Sequence, residues 1–460
     1  MVMKKIIILL GCTLFLSSCG IYTHYKRPDV NTAGLFRDSV SAADTLLAND
    51  TTSFGNLPWR SVFTDPDLCV LVDSGLQNNK DLLTASLTVK EAQAQLMSAR
   101  LAFLPSFALS PSGTVSSWDK GKASQVYSLP VQASWSLDLF GSLTNAKRSQ
   151  KAVLLQSKDY QQAVRSEVIA NIANSYYTLL MLDRQLEITD SMSVLTKDTW
   201  RMMIAQMKLG MVNEAAVRSS EANYYSVKAS IPELQRQIRT TENALCLLLG
   251  KAPQTIKRGK LDNQTLPQTF STGVGIQLLS NRPDVRSAEM NLASCYYQTN
   301  AARSAFYPSI TITGSAGWTN SSGISIVNPG KLLASAVGSL TQPLFAKGKL
   351  IAALKVAKAE QQKAYLSWQY AILNAGSEVS NALMLYQSST QKSGFESKQV
   401  ESLQRNVVVT KALYQMQSSS YLEVVSAQQS LLSAQLSKIS DDFYKMQAVV
   451  NLYYALGGGR

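Results

Sequence analysis

Few residues in this sequence have the type and spacing to do chemistry, and the first is Cys19. It closes Leu16-Ser17-Ser18-Cys19 after Lys4, Lys5 and the apolar run Ile6–Leu16, so residues 1–18 read as a secretory signal peptide. The ending has the form of a lipobox, in which the cysteine becomes the first mature residue and carries a covalent lipid. A plain signal cleaved before another small residue is the alternative. Gly20 is not the Asp that retains lipoproteins in the inner membrane of enteric bacteria, which points Cys19 to the outer membrane. The other cysteines, Cys12, Cys69, Cys246 and Cys295, form no C-x-x-C pair and no disulfide framework. His24 is the single histidine, which argues against His-based metal sites and catalytic triads. There is no GxxxxGK[ST] for a nucleotide and no carboxylate pair recognisable by spacing. Enzyme activity and a bound cofactor therefore have no positive support. Chemistry at the surface, at a membrane or along a pathway is what remains.

The elements that would position such residues show themselves through a repeat. Arg100-Leu-Ala-Phe-Leu-Pro105 and Arg303-Ser-Ala-Phe-Tyr-Pro308 agree at Arg, Ala, Phe and Pro. After each proline the pattern switches from helical to strand period, through Phe107, Leu109 and Pro111 in one case and Ser309–Thr313 in the other. Leu139-Phe140 and Leu344-Phe345 close the strand pairs, and Leu249-Gly250 and Leu456-Gly457 close the halves. The unit is a duplicated helix–hairpin–helix. A polar linker, 19–56, precedes the first repeat, 57–260, which holds strands at about 106–138 and a long helix pair at 142–249. The second repeat, 261–460, holds a helix at 282–306, strands at about 309–344 and a helix pair at 347–456. The first long helix, to Lys208, would measure about 100 Å. The last shows a seam of Leu432, Leu436, Ile439, Phe443, Met446, Val450 and Tyr453 with coiled-coil spacing.

The chain has 460 residues, 45% apolar and 16% charged, with a net charge of +13 and a mean hydropathy of −0.03. No basic block marks a nucleic-acid site. Beyond the leader no stretch reaches the eighteen or so apolar residues of a spanning helix, so any crossing must use strands. Four strands of about ten residues could cross a bilayer at a tilt. Trp118, Trp135 and Trp318 near their ends suit an interface. Four strands cannot close a barrel and an open edge is not tolerated in lipid, so several chains must share one barrel. An ordinary soluble hairpin is the alternative.

On these residues the chain resembles the TolC-type outer-membrane efflux channels, and among them the lipid-anchored channels of tripartite RND-type pumps. The matching stretches are Leu16–Cys19, Trp59-Arg-Ser-Val-Phe-Thr-Asp-Pro66, Arg282-Pro-Asp-Val-Arg286-Ser-Ala-Glu289, Ala305-Phe-Tyr-Pro-Ser-Ile310 and Leu452-Tyr-Tyr-Ala-Leu-Gly-Gly-Gly459. The family ends in an aromatic where this chain has Arg460. The resemblance implies an α+β membrane protein: a homotrimer with a twelve-stranded barrel in the outer membrane, four strands per chain, continued by a periplasmic α-helical barrel. It implies a passive exit duct for drugs, toxic compounds or metabolites, with a periplasmic adaptor and an inner-membrane transporter as partners.

It also places a gate at the helix turns 208–217 and 414–425. Tyr414 and Glu423 occupy the family's tyrosine and acidic gate positions; Gln417 and Ser419 complete the candidate set. The family's second acidic position is Ser426, its gate arginine position is Ser419 and its first-pair acid position is Ala216, so the ionic lock is depleted. Leu209, Gly210, Met211, Ser418, Ser420 and Tyr421 are the implied adaptor contacts. Each has a plainer reading: Glu423 as a first-turn acid at a helix N-terminus, Tyr414 as packing, Gly210 as a turn. Glu289 is expected to pair with Arg286 or Arg282. The alternatives for the whole are a surface-anchored helical lipoprotein that binds nutrients, and a periplasmic coiled-coil spacer. Neither needs the duplicated strands.

Overall fold

The computed structural model describes residues 22–29, 54–117, 119, 121–265, 267, 282–319, 331–416 and 418–459. Cys19, Trp118 and Gln417 lie outside them. The helices are α1 (Trp59–Val62), α2 (Pro66–Asn78), α3 (Lys80–Leu101), α4 (Ser142–Lys208), α5 (Glu214–Leu248), α6 (Pro283–Ser304), α7 (Lys349–Gln415) and α8 (Tyr421–Ala455). The strands are β1 (Ser106–Leu109), β2 (Ser112–Ser116), β3 (Ser124–Leu137), β4 (Ser309–Thr319) and β5 (Lys331–Thr341). Each of α3 and α6 has 22 residues, each of α4 and α7 has 67, and each of α5 and α8 has 35, in the same order around each set of strands.

The chain divides into two compact units. The first comprises residues 1–30, 87–158 and 286–370 and contains the whole sheet. The strand order is β1-β3-β4-β5, with β2 also on β3, and every pairing is antiparallel. The expected single first strand is two short ones. Leu109 opposes Val131 and Ser112 opposes Ser128, so the register is continuous across the break. The interruption falls at Pro111, which has no N–H to give the ladder, while Ser110 N donates to Pro130 O at 3.1 Å. The two hairpins join through β3 and β4, from Ser128 opposite Thr319 to Leu137 opposite Ile310.

In the second unit (31–86, 159–285, 371–460) the short N-terminal helices complete a core with the mid-parts of the long ones. Asp65 caps α2, accepting from Asp67 N at 2.9 Å, and also accepts a hydrogen bond from the Tyr176 hydroxyl at 2.7 Å. Trp59, Phe63 and Leu68 are buried with Ile172, Leu245 and Leu452. The chain end is fastened there as well: Gln162 and Arg165 each donate to Gly459 O at 3.0 Å. Of the α8 seam, Ile439, Phe443, Val450 and Tyr453 are buried, and Leu432, Leu436 and Met446 half-buried.

Candidate channel wall and helix tips

Alternation along paired strands puts every second residue on one face. Leu137, Trp135, Ala133, Val131 and Leu129 of β3 stand beside Ile310, Ile312, Gly314, Ala316 and Trp318 of β4. On β5, Leu340, Gly338, Ala336 and Ala334 continue the rows from Ile310 to Ala316. Phe107 and Leu109 extend two of the rows on β1. The opposite face carries Ser136, Ser134 and Gln132, then Thr311, Thr313 and Ser315, then Ser339, Val337 and Ser335, polar but for the valine. Hydroxyls there bond across strands, Ser315 to Ser335 at 2.9 Å and Ser112 to Ser128 at 2.6 Å. Neither face has a charge between residues 124 and 137 or between 309 and 319. The apolar side is uncovered: Phe107 is 71% exposed, Leu340 68% and Trp318 52%. A continuous bare apolar face of this kind calls for lipid or a partner. Among the described residues β5 at one border, and β1 with β2 at the other, each have one sheet neighbour, which leaves both borders of the sheet open there. Where the sheet meets the helices, the ring of Phe140 stacks on Tyr307 at 5.0 Å and Trp135 Nε1 donates to Phe103 O at 2.8 Å.

The other site is at the turns between the long helices, in the second unit. At the end of α4, Gly210 has φ +71. Its N–H reaches Met207 O at 3.0 Å and Met211 N reaches Gln206 O at 3.0 Å, the Schellman closure that glycine permits. Asn213 then caps α5 by accepting from Ala216 N at 3.0 Å. At the second turn Ser420 caps α8, accepting from Glu423 N at 3.4 Å and donating to Glu423 Oε1 at 3.3 Å. Ser419 Oγ donates to Glu423 Oε2 at 2.5 Å, and this bond, with those of Ser420, holds the carboxyl below its ordinary range.

Tyr414 is buried with Met203, Val217 and Val424. Its hydroxyl donates to Gln206 Oε1 and lies 3.5 Å from Met203 Sδ; burial raises its pKa. Ser419, Ser420 and Glu423 are thus one hydrogen-bonded group, with Tyr414 bonded elsewhere. Gln206, which sequence reading missed, is its partner across 208 residues, a tertiary pairing without local signal. Ala216 is buried, so that position supplies packing. Leu209 is 74% exposed; Met211 at the same turn is exposed, as are Met416 and Leu422 at the second turn. Gly210, Ser418 and Ser420 are exposed and Tyr421 half-buried.

Two arginines, Arg282 buried and Arg258 half-buried, each join two carboxylates, and the first opens the family-like motif. Arg282, 2% exposed, donates to Asp284 at 2.6 Å, to Glu378 at 2.7 Å and to Ala455 O at 2.9 Å. Burial works against its charge, but the two carboxylates outweigh it and raise the pKa. Arg258 likewise joins Glu242, at 2.6 Å, to Asp183. Glu289 has a partner outside the expected pair: Arg27 holds it bidentately at 2.8 and 2.6 Å, because the segment 22–29 is laid along α6, while Arg282 is taken up by Asp284 and Glu378. Thr23 bonded to Tyr296 at 2.9 Å and Tyr25 N to Tyr297 at 3.2 Å complete that attachment. Among the described residues no helix is long and apolar enough to cross a membrane, and no group of three His, Cys, Asp or Glu could hold a metal ion.

A family model described as outer membrane efflux protein matches residues 71–251 and 275–458. The cation efflux system protein CusC of Escherichia coli (strain K12) is 30% identical over 453 residues, 97% of each chain. The probable outer membrane lipoprotein SilC of Salmonella typhimurium is 28% identical over 463 residues, 99% of this chain and 97% of that one. The open state of the Neisseria gonorrhoeae MtrE outer membrane channel superposes with a TM-score of 0.85 at 26% identity, over 96% of this chain and 98% of that one. Crystal structures of CusC, described by their transmembrane channel formation, superpose at 0.83 with 28% identity, over 96% of this chain and all of that one.

Proposed function

Because the chain belongs to the outer membrane efflux protein family, we propose that it is the outer-membrane exit duct of a tripartite efflux pump, a passive channel rather than an enzyme. The observation that carries this reading is a sheet without charge along its central strands β3 and β4, with one bare apolar face and two open borders. Such a sheet is stable in lipid only if its borders are paired. Three copies, each giving its hairpins, make a twelve-stranded barrel, an even count that bacterial barrels favour. The matched helix lengths of 22, 67 and 35 residues support an origin of the chain by internal duplication. Cys19 carries the lipid that tethers the chain to the same membrane.

The pump supplies energy and most of the specificity; a periplasmic adaptor and an inner-membrane RND-type transporter are the partners. The adaptor meets the turns at Leu209, Gly210, Met211, Ser418, Ser420 and Tyr421, and the exposed Leu209 and Met211 support such a contact. Tyr414, Gln417, Ser419 and Glu423 form the gate. With Ala216, Ser419 and Ser426 in place of charged residues, that gate closes through hydrogen bonds and packing, which are exchanged on docking at small cost. Three Glu423 carboxylates about a threefold axis favour cations. A nutrient-binding lipoprotein or a coiled-coil spacer gives the bare face of the sheet no role.

The test is the oligomer mass and detergent requirement of the Cys19→Ala protein exported with a cleavable signal. A detergent-dependent trimer that conducts ions across planar bilayers is expected. A detergent-free soluble monomer would overturn the channel.

A further inference from the structure

The net charge of the chain is not spread evenly. The unit that holds the sheet has 20 Lys and Arg against 6 Asp and Glu, a net of +14, while the other has 24 against 25. Lys4 and Lys5 of the leader belong to the first count, which leaves +12 for the remainder. The excess gathers just beyond the helix-side ends of the strands. From the end of β3 to Lys158 there are Lys147, Arg148, Lys151 and Lys158 against one acid, Asp138, whose carboxylate is taken up by the N–H groups of Leu143 and Thr144. From Leu332 to Ala359 there are Lys347, Lys349, Lys355 and Lys358, with no acid.

We infer that this zone is a docking surface for the anionic phospholipid headgroups of the leaflet that the helix-side end of the sheet enters. The inference rests on the outer-membrane reading and adds to it the chemistry of the lipid. The order along the chain is that of an interface. Apolar rows end at Leu137, Ile310 and Leu340, aromatic rings follow at Phe103, Phe140, Tyr307 and Phe345, and the cations come next. Lys147 stands over the ring of Phe103 at 4.9 Å, which ties the first cation to the aromatic layer.

Distance supports the same assignment. Lys147 is five residues into α4, about 8 Å along its axis, and Lys151 about 14 Å. The headgroup layer adds roughly 5–8 Å to each side of the hydrocarbon, and a Debye length of about 8 Å extends the field beyond it. Lys147, Lys151 and Lys158, at i, i+4 and i+11, lie on one face of α4. Lys151, Lys347, Lys349 and Lys355 are exposed, with no carboxylate paired to them among the described residues. Four exposed cations with no carboxylate paired to them, on top of the others in these stretches, repel one another, and an anionic leaflet relieves that cost. Each basic group near such a surface strengthens association about fivefold.

The experiment reconstitutes the full-length protein in vesicles of phosphatidylcholine with a minor fraction of phosphatidylglycerol. Spin-labelled lipids of each kind then give their relative association with the protein. Expected is a several-fold preference for phosphatidylglycerol that falls toward one at about 1 M salt. The variant Lys147→Gln/Lys151→Gln/Lys349→Gln/Lys355→Gln is expected to lose most of the preference while keeping its oligomer mass in detergent. Wild-type protein inserted without a preference, or with one insensitive to salt, overturns the inference and leaves the channel standing. So does a variant whose ion selectivity changes while its lipid preference does not, since the cations then serve the duct. Should the variant fail to assemble, the salt dependence of the wild type decides. Failure of the wild type to insert in either lipid refutes the outer-membrane reading itself.

Discussion

At the scale of the residue, buried charge is the most consequential feature. Arg282 is enclosed and satisfies Asp284, Glu378 and a carbonyl of the last helix at once. Its value lies less in net attraction than in what its removal exposes, because the carboxylates and the carbonyl of Ala455 stay behind. Arg282→Ala is expected to destabilise the protein by about 3 kcal/mol, read from the denaturant midpoint in detergent. Arg282→Lys should recover only part of that, since an ammonium cannot reproduce the fork. A loss below about 1 kcal/mol for the alanine variant would mean that solvent reaches the abandoned carboxylates freely. Glu423 contrasts with it: exposed and bonded to two serines, it has a local capping role whatever it does for ions.

At the scale of the element, the two turns are similar devices built from different residues. One uses Gly210 and the Asn213 cap, the other the Ser420 cap with its bond to the Glu423 carboxylate. A Cβ at Gly210 would meet nothing within 4 Å, so the only penalty for Gly210→Ala is the left-handed backbone. We expect a local cost of about 1 kcal/mol, seen as faster hydrogen exchange at Leu209–Asn213 with an unchanged global melting point. A large drop in melting would show that this turn is coupled to the rest of the fold. The broken first strand belongs to this scale too: Pro111 interrupts hydrogen bonding but leaves the register, and with it the face of each side chain, unchanged.

At the scale of the whole molecule, the sheet has two faces that must meet different surroundings. Val131 lies at mid-strand in the apolar rows, beside Leu109 and Ala316, and Gln132 on the other side beside Ala108 and Ser315. Arginine on a lipid-facing position near the bilayer midplane costs about 2–4 kcal/mol, and on a lumen-facing one little. Val131→Arg should therefore reduce the fraction inserted into vesicles markedly, whereas Gln132→Arg should insert and shift ion selectivity. Equal effects of the two would show that the faces are not distinguished by lipid.

The sequence by itself determined the elements and their order. A change from period 3.6 to period 2 at Pro105 and Pro308 is local information, as are the capping serine and asparagine and the glycine that ends α4, and so the long helices and the hairpins were legible. It also carried the family, through Arg282–Glu289 and the strand that follows. What only the tertiary structure decided are the pairings between distant residues. The union of the hairpins through β3 and β4, Arg27 as the partner of Glu289 across 262 residues, and Gln206 beneath Tyr414 leave no periodic trace. The charge distribution hid for the same reason. Read along the chain the cations are scattered, and they become a zone only when residues 139–158 and 332–359 fold into one unit with the sheet.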